Sequence, residues 1–186
     1  MTKVAVLDDY QEVALEMADW ESLPSATEVT VFKNHLSDER DVSKRLAGFE
    51  VVSAMRERTP FPSHLLESLP NLKLLVTTGM RNASIDLQAA SKLGITICGT
   101  EGLGYPTAEL TWGLIVSLAR KISEENSSSR SGSWQTTLGI GLKGKTLGIL
   151  GLGNLGSQVA RIGNAFGMNV VSWSQNLTKS KAAENE

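Results

Sequence analysis

Hydrophobic and polar positions along the first hundred residues repeat in a strand-then-helix order. Short apolar runs, typical of buried parallel strands, are followed by segments with helical spacing and by polar turns. The predicted strands are KVAVLD, EVTVFK, EVVSAM, NLKLLVTT and ITIC. Because strands joined through helices run parallel, we expect one parallel sheet that is covered by helices on both faces.

The helices between these strands are predicted from spacing and from residues that start or end a helix. The helical segments are residues 13–20 with Val13, Leu15, Met17 and Trp20, followed by SDERDVSKRLAG, PSHLLESL and NASIDLQAASKLG. Asn82 or Ser84 is expected to cap the last of these helices, and Gly94 is expected to end it.

The segment PTAELTWGLIVSLARKI predicts a longer helix that begins near Pro106 and is apolar on more than one side. Its apolar residues are Leu110, Trp112, Leu114, Ile115, Leu118 and Ile122. Such a helix is usually buried between layers or at a subunit interface. The next segment, SEENSSSRSGSW, is polar and is predicted to be a solvated helix end and a surface loop.

A second strand–helix–strand unit is predicted further along the chain. A strand from Thr146 to Leu150 precedes a helix from about Asn154 to Phe166, and MNVVSW forms the next strand. A right-handed crossover is expected for such a unit. Thr178 is expected to cap a further helix that continues through Glu184.

Composition narrows the class of protein. With 186 residues, of which 41% are hydrophobic and 20% charged, the sequence is typical of a soluble globular protein with one large or two small domains. The net charge of -2 argues against a nucleic-acid binder. No apolar run is long enough for a membrane helix, and the N-terminus has no secretory pattern. The single cysteine, Cys98, excludes intramolecular disulfides, suits the cytoplasm and is expected to be buried. No metal site is predicted.

A glycine-rich turn connects the strand and the helix of the second unit. Its sequence, GLGNLG, fits the pattern G-x-G-x-x-G, directly after a strand and at the start of a helix. In a dinucleotide site, Gly151 permits the tight turn, Gly153 lets the backbone approach a pyrophosphate, and Gly156 lets the helix pack on the strand. The amides of Asn154 and Leu155 would point at the phosphates. A glycine turn of purely structural use is the alternative.

The sequence after the next strand bears on the choice of cofactor. An acidic residue that would bond the ribose hydroxyls is missing there, and Ser174, Gln175 and Asn176 offer neutral groups instead. Because no carboxylate would repel a 2′-phosphate, NADP is somewhat favoured, while NAD stays possible.

Four longer stretches are more specific than the glycine turn. VTTGMRNASIDLQAASKLGITICGT, PTAELTWGLIVSLAR, GKTLGILGLGNLG and AFGMNVVSWS span most of residues 50–175. In these stretches the chain resembles the D-isomer-specific 2-hydroxyacid dehydrogenases, most closely the members that reduce glyoxylate or hydroxypyruvate.

The resemblance implies an α/β fold. A flavodoxin-like parallel-sheet substrate domain is expected in residues 1–100, followed by a linker helix and the first part of a Rossmann NAD(P)-binding domain in residues 101–186. The implied activity is an NAD(P)-dependent interconversion of small 2-keto acids and D-2-hydroxy acids in the cleft between the domains. The implied assembly is a homodimer through the Rossmann side, near the helix of Trp112.

The resemblance also implies roles for individual residues. The loop of Thr78, Gly79 and Met80 matches one that binds the substrate carboxylate with backbone amides, and its position between a strand and a helix agrees with an anion site. Arg56 matches a position that reaches the carboxylate in some members; a solvated surface charge is the alternative. Thr107 matches a residue near the nicotinamide end of the cofactor; a helix cap is the alternative.

The family's chemistry further needs an arginine that holds the keto acid and a histidine that donates a proton, with a carboxylate that tunes the histidine. These are expected beyond Glu186, so the chain alone is expected to be incomplete and inactive. His35 and His64 carry no recognisable motif and are expected to be surface or cap residues. A non-catalytic nucleotide-binding or regulatory module is the alternative function, and a fragment without function of its own is a third.

Overall fold

The structure, a computed structural model, describes residues 1–183 and divides the chain into two compact units. The first unit is Met1–Gly102, and the second begins at Leu103. Among the described residues, no helix has the length and apolar character needed to cross a bilayer. The predicted end of the last helix, Glu184, lies outside the described residues.

The first unit is a five-stranded parallel sheet. Its strands are β1 (Thr2–Val6), β2 (Thr27–Val31), β3 (Val51–Ala54), β4 (Leu74–Thr77) and β5 (Thr96–Gly99), and its helices are α1 (Glu39–Leu46), α2 (Ser63–Glu67) and α3 (Leu87–Lys92). The strand order is β2-β1-β3-β4-β5, which is the flavodoxin-like order. The predicted strands and the predicted parallel α/β fold are confirmed.

The core of the first unit lies between this sheet and its helices. Buried aliphatic residues from the central strands, among them Ala5, Val52 and Leu75, pack with Leu46 of α1 and Leu65 of α2. In β3 and β4, one face is buried and the other is partly buried, which agrees with the largely apolar sequence of these strands. The sheet therefore holds the loops at its carboxyl edge on a packed support.

Residues 13–20 do not form the predicted helix. They form two short 3-10 turns, Ala14–Glu16 and Trp20–Ser22. The Asp9 carboxylate accepts the amides of Val13 and Ala14 at 3.1 and 2.9 Å. Leu15 and Met17 are exposed, so the segment lacks the buried apolar face that stabilises a longer amphipathic helix.

Two further expectations for the first unit are wrong. The cap of α3 is Asp86, whose carboxylate accepts the Ala89 amide at 2.9 Å, so neither Asn82 nor Ser84 caps this helix. Cys98 is exposed rather than buried, because it lies on edge strand β5 and points away from the face on which Ile97 meets the core. The predicted end of α3 at Gly94 is confirmed by its positive φ of 73°.

The second unit contains the predicted strand–helix–strand motif. Its elements are α4 (Pro106–Ala119), α5 (Ile122–Arg130), β6 (Thr146–Leu150), α6 (Asn154–Ala165), β7 (Asn169–Trp173) and α7 (Lys179–Ala183). Strands β6 and β7 pair in parallel, with Thr146 opposite Asn169. Trp112 of α4 is buried and stacks on Phe166 at the end of α6, with ring centroids 4.9 Å apart.

The long predicted helix is interrupted at Lys121. This residue has a left-handed backbone, with φ of 58°, and it separates α4 from α5. The polar segment that follows is helical to Arg130 and then forms a loop, which agrees with the predicted helix end and surface loop. The apolar surface of α4 is only partly covered within the chain, because Leu110, Leu114 and Leu118 are 63%, 62% and 76% exposed.

The Glu125 carboxylate fastens the loop after α5 to that helix. It accepts the backbone amides and the hydroxyls of Thr136 and Thr137 over distances of 2.5 to 3.3 Å. The hydrogen bond from the Thr137 hydroxyl is the main cause that lowers the pKa of Glu125, against a smaller opposing effect of burial. The ionised form of Glu125 therefore holds the loop in place.

We expect this loop to detach from α5 in acid. Because the folded-state pKa of Glu125 is depressed, its contribution to stability is complete above the ordinary glutamate pKa of about 4.3. That contribution is lost as the pH falls through the folded-state pKa. The amide resonance of Thr137, followed by NMR, should report the transition. Glu125→Gln should abolish it and the neighbouring Glu124→Gln should not; an unchanged profile in Glu125→Gln would contradict the assignment.

Candidate functional site

The glycine turn of the second unit joins β6 to α6. Gly151 has a φ of 96°, a region that favours glycine, and its amide donates to the Trp173 carbonyl of β7 at 2.7 Å. This bond extends the ladder between the two strands by one residue. The chain then turns at once into α6, so the start of the helix lies at the carboxyl edge of the strands.

The other two glycines of the turn face different surroundings. A Cβ on Gly156 would overlap the carbonyl oxygen of Gly151 and would also crowd the Ile149 side chain at 3.3 Å. A Cβ on Gly153 would meet no atom within 4 Å, so the space beside this residue is open. Gly156 is therefore needed for packing of the helix on the turn, whereas Gly153 leaves a surface that another group can approach.

The N-terminus of α6 has amides available for a ligand. Among the described residues, the amides of Asn154, Leu155 and Gly156 have no hydrogen-bond partner, and the first bonded amide is that of Ser157, which donates to Gly153 at 2.9 Å. Within residues 1–183, no side chain caps the helix, and its first turn has no acidic residue. Such an N-terminus carries a partial positive charge and fits a phosphate group. These residues thus fit the pyrophosphate of a dinucleotide.

Side chains beside this N-terminus tie it to the chain that precedes α4. Gln158 donates through Nε2 to the Gly104 carbonyl at 2.7 Å and to the Asn154 carbonyl at 3.2 Å. A Cβ on Gly104 would lie 3.1 Å from Nδ2 of Asn154. The start of α6 is therefore held in place without use of its own free amides.

The remaining predicted cofactor residues occupy two other positions of the second unit. Ser174, Gln175 and Asn176 follow β7 directly, where the Leu177 amide donates to the Ser174 carbonyl at 3.2 Å and closes a turn. Thr107 is exposed in the first turn of α4, and its carbonyl accepts the Thr111 hydroxyl. The helix-cap alternative for Thr107 is wrong, because the cap position belongs to Tyr105.

In the first unit, the structure brings Arg56 and the loop of Thr78–Met80 together. The Arg56 amide donates to the Thr78 hydroxyl at 3.1 Å. The Arg56 guanidinium lies over Gly79, since a Cβ on this glycine would be 3.2 Å from Nη1. Among the described residues, this guanidinium has no hydrogen bond or ion pair. A free cation beside a loop at a strand end is suited to a carboxylate.

The amides of this loop are not equally available. The Thr78 amide donates to Ala54 at 3.1 Å, and the Gly79 amide donates to the Thr100 hydroxyl at 3.0 Å. The Met80 amide has no partner among the described residues, and its side chain is exposed. An incoming carboxylate could therefore use Met80 and Arg56 directly, and Gly79 after the Thr100 hydroxyl moves aside.

Sequence reasoning missed three residues that shape this loop. Thr100 occupies the Gly79 amide, and Asn82 bonds the loop to Arg56 at 2.7 Å. A Cβ on Gly99 would lie 2.8 Å from the Gly79 carbonyl oxygen and 2.9 Å from Cα of Met80. A glycine directly after an apolar strand, as in ITICGT, is the one sequence signal that indicates such a close backbone approach.

The two histidines differ in their surroundings. His64 is exposed, as predicted, and pairs with Glu39. His35 is half-buried, and its Nδ1 lies 3.0 Å from the Asp8 carboxylate, so its prediction as a surface or cap residue is wrong. Asp8 is only 2% exposed and also accepts the Thr59 hydroxyl at 2.7 Å. The side chain of His35 therefore serves to satisfy a buried carboxylate at the end of β1.

Comparison with known proteins adds to this geometry. Residues 112–186 match the family model described as D-isomer specific 2-hydroxyacid dehydrogenase, NAD binding domain. The glyoxylate reductase of Aeropyrum pernix is 41% identical over 117 residues, which are 58% of this chain and 35% of that protein. The glyoxylate reductase of Thermococcus litoralis is 38% identical over 132 residues, which are 66% of this chain and 39% of that protein.

A solved structure matches nearly the whole chain. The phosphoglycerate oxidoreductase of Vibrio cholerae superimposes with a TM-score of 0.89 and 38% identity, over 99% of this chain and 59% of that one. The chain therefore spans a little over a third of the length of these two curated relatives and about three fifths of this solved chain. Family model, sequence relatives and fold agree: residues 112–186 match the NAD binding domain of the D-isomer specific 2-hydroxyacid dehydrogenases, and the chain is similar to that family.

Proposed function

We propose that this chain provides the substrate-carboxylate loop and the dinucleotide site of an NAD(P)-dependent oxidoreductase that interconverts small 2-keto acids and D-2-hydroxy acids. Residues 1–100 would bind the acid, and residues 101–186 would bind the cofactor. The observation that carries the proposal is the uncapped start of α6, where three consecutive amides follow the open Gly153 and have no partner in the described part of the chain. The names of the two glyoxylate reductases support a small keto acid as substrate.

The residues of each unit have a defined part in this reaction. In the second unit, the amides of Asn154, Leu155 and Gly156 would hold the pyrophosphate of the cofactor, whose nicotinamide would supply or accept the hydride. In the first unit, the Arg56 guanidinium neutralises the substrate carboxylate, and the Met80 amide donates a hydrogen bond to it. These two contacts fix the orientation of the keto group next to the carboxylate. We assign the proton donor to neither His35 nor His64, since neither carries a recognisable motif.

We further propose that NADP is preferred over NAD. The turn after β7 presents Ser174, Gln175 and Asn176, none of which would repel a 2′-phosphate. NADPH and NADH titrated into the protein should both quench its tryptophan fluorescence, with NADPH at least as tight. Ser174→Asp should weaken NADPH about tenfold relative to NADH, because a carboxylate would face the phosphate.

The matched control is Ser133→Asp, which adds the same charge on the exposed loop after α5. It should leave both affinities unchanged. Absence of binding of either nucleotide to the folded protein would overturn the proposed function. Nucleotide binding without turnover of glyoxylate or hydroxypyruvate, in a chain that also carries the family's catalytic histidine, would instead favour the non-catalytic module.

We propose a cytoplasmic homodimer formed through the exposed leucine face of α4, Leu110, Leu114 and Leu118. These residues are spaced by four and lie on one side of the helix, opposite the buried Trp112. An exposed apolar stripe of this kind is typical of an interface. The free, exposed thiol of Cys98 suits a reducing compartment.

Light scattering after size-exclusion chromatography should give twice the chain mass of 20.0 kDa. The double variant Leu114→Asp, Leu118→Asp should raise the dimer dissociation constant by at least about a hundredfold, because each leucine contributes roughly 1.5–3 kcal/mol when buried. Leu93→Asp, at an exposed leucine outside the stripe, should leave the dimer intact. A monomeric wild-type protein would contradict the assignment.

A further inference from the structure

The Asn82 side chain connects the two segments that make the carboxylate site. Its Nδ2 donates to the Arg56 carbonyl at 2.7 Å and to the Thr77 hydroxyl at 3.0 Å. Its Oδ1 accepts the amide and the hydroxyl of Ser84 at 2.9 and 2.6 Å. Each polar atom of this amide is thus in use, and Thr77, one of its partners, is 3% exposed at the end of β4.

The backbone of Arg56 needs such support. Arg56 has a φ of 47°, a left-handed conformation that non-glycine residues adopt at a cost of about 1–3 kcal/mol. Its amide is held by the Thr78 hydroxyl and its carbonyl by Asn82. Both backbone polar groups of Arg56 are therefore bonded to side chains of the segment that contains Gly79 and Met80. The segment thereby fixes the backbone from which the Arg56 side chain extends over Gly79.

We infer that Asn82 is a positioning residue for the substrate carboxylate: it acts through Arg56, whose guanidinium it sets beside the amides of Gly79 and Met80. The inference rests on the proposed function, because it assigns a role within the same carboxylate site. This positioning role differs from a general role in folding, because it depends on one hydrogen bond, from Nδ2 of Asn82 to the Arg56 carbonyl.

The substitution Asn82→Asp separates these roles. The carboxylate has the same shape and can still accept both Ser84 donors, but it cannot donate to Arg56 or Thr77 and places an oxygen against the Arg56 carbonyl. Asn82→Ala removes all four bonds without this repulsion. Ser84→Ala is the matched control, because it deletes one bond on the far side of Asn82 and leaves the contact with Arg56 intact.

The experiment is a titration of glyoxylate into the full, 15N-labelled chain, with the amide resonances of Gly79 and Met80 as the signal. Asn82→Asp and Asn82→Ala should weaken glyoxylate about tenfold, and Ser84→Ala by less than about twofold. In an Arg56→Ala background, Asn82→Asp should cause no further loss, because a residue that acts through Arg56 has nothing left to position. Thermal unfolding of each variant checks the fold.

The outcomes separate this inference from the proposed function. If glyoxylate does not bind the wild-type protein, both fail. If it binds and Arg56→Ala weakens it, but Asn82→Asp does not, the inference alone fails. Equal losses from Asn82→Asp in the wild-type and Arg56→Ala backgrounds also overturn it, as does loss of cooperative unfolding in both Asn82 variants, which would assign this residue to folding alone.

Discussion

The substitution Gly156→Ala is expected to destabilise the second unit by about 3 kcal/mol and to abolish nucleotide binding. The added Cβ would overlap the carbonyl oxygen of Gly151, which is backbone and cannot rotate away. The start of α6 would have to move off the turn, and the amides of Asn154 and Leu155 would move with it. Urea unfolding followed by circular dichroism, together with an NADPH titration, measures both effects.

Gly153→Ala is the matched control within the same turn. A Cβ at this position meets no protein atom within 4 Å, and the φ of -90° is open to any residue, so the free energy of unfolding should hardly change. Nucleotide affinity should still fall about tenfold or more, because the methyl group would occupy the space that the pyrophosphate approaches. Unchanged affinity in a folded Gly153→Ala would show that the phosphates bind elsewhere.

The second large effect is expected for Asp8→Ala, which should lower the free energy of unfolding by about 3 kcal/mol. Asp8 is 2% exposed, and its carboxylate accepts both the Thr59 hydroxyl and His35. Its removal leaves these two donors without their acceptor, and alanine tolerates the φ of 57° less well than aspartate. Urea unfolding of the variant provides the measurement.

Two further variants serve as comparisons for Asp8→Ala. Asp8→Asn keeps a side chain that tolerates the left-handed backbone and can still accept the Thr59 hydroxyl, so its loss should be about half as large. Asp19→Ala removes an exposed carboxylate that accepts the Ser22 amide at 3.2 Å and should cost no more than about 1 kcal/mol. Equal stability of Asp8→Ala and wild type would mean that the buried cluster does not support the fold.

Sequence patterns locate strands and helices correctly where a few neighbouring residues are enough to specify the element. The strand Thr146–Leu150 is found as predicted, because an apolar run before a glycine turn admits few other structures. The prediction of a helix over residues 13–20 is wrong, because spacing alone does not show whether Leu15 and Met17 have a surface to pack against. The break between α4 and α5 at Lys121 is not predicted, because the sequence has no typical turn residue there.

The candidate site shows the same division. The glycine turn was identified from its own residues, because each glycine acts on atoms within a few positions along the chain. The sequence predicts a helix cap at Asn82, whereas in the structure its side chain bonds Arg56, 26 residues away in the sequence. The sequence predicts a surface or cap residue at His35, whereas in the structure it bonds the buried Asp8, 27 residues away in the sequence.

Local sequence patterns specify the order of strands and helices, the parallel α/β class and the glycine turn, since these depend on local periodicity and on backbone freedom at single residues. Three features become visible in the folded chain alone: which amides remain available, that Thr100 occupies the amide of Gly79, and that Arg56 lies over the carboxylate loop. These features arise where the ends of different strands meet at one edge of the sheet, and no local pattern specifies which side chains meet there.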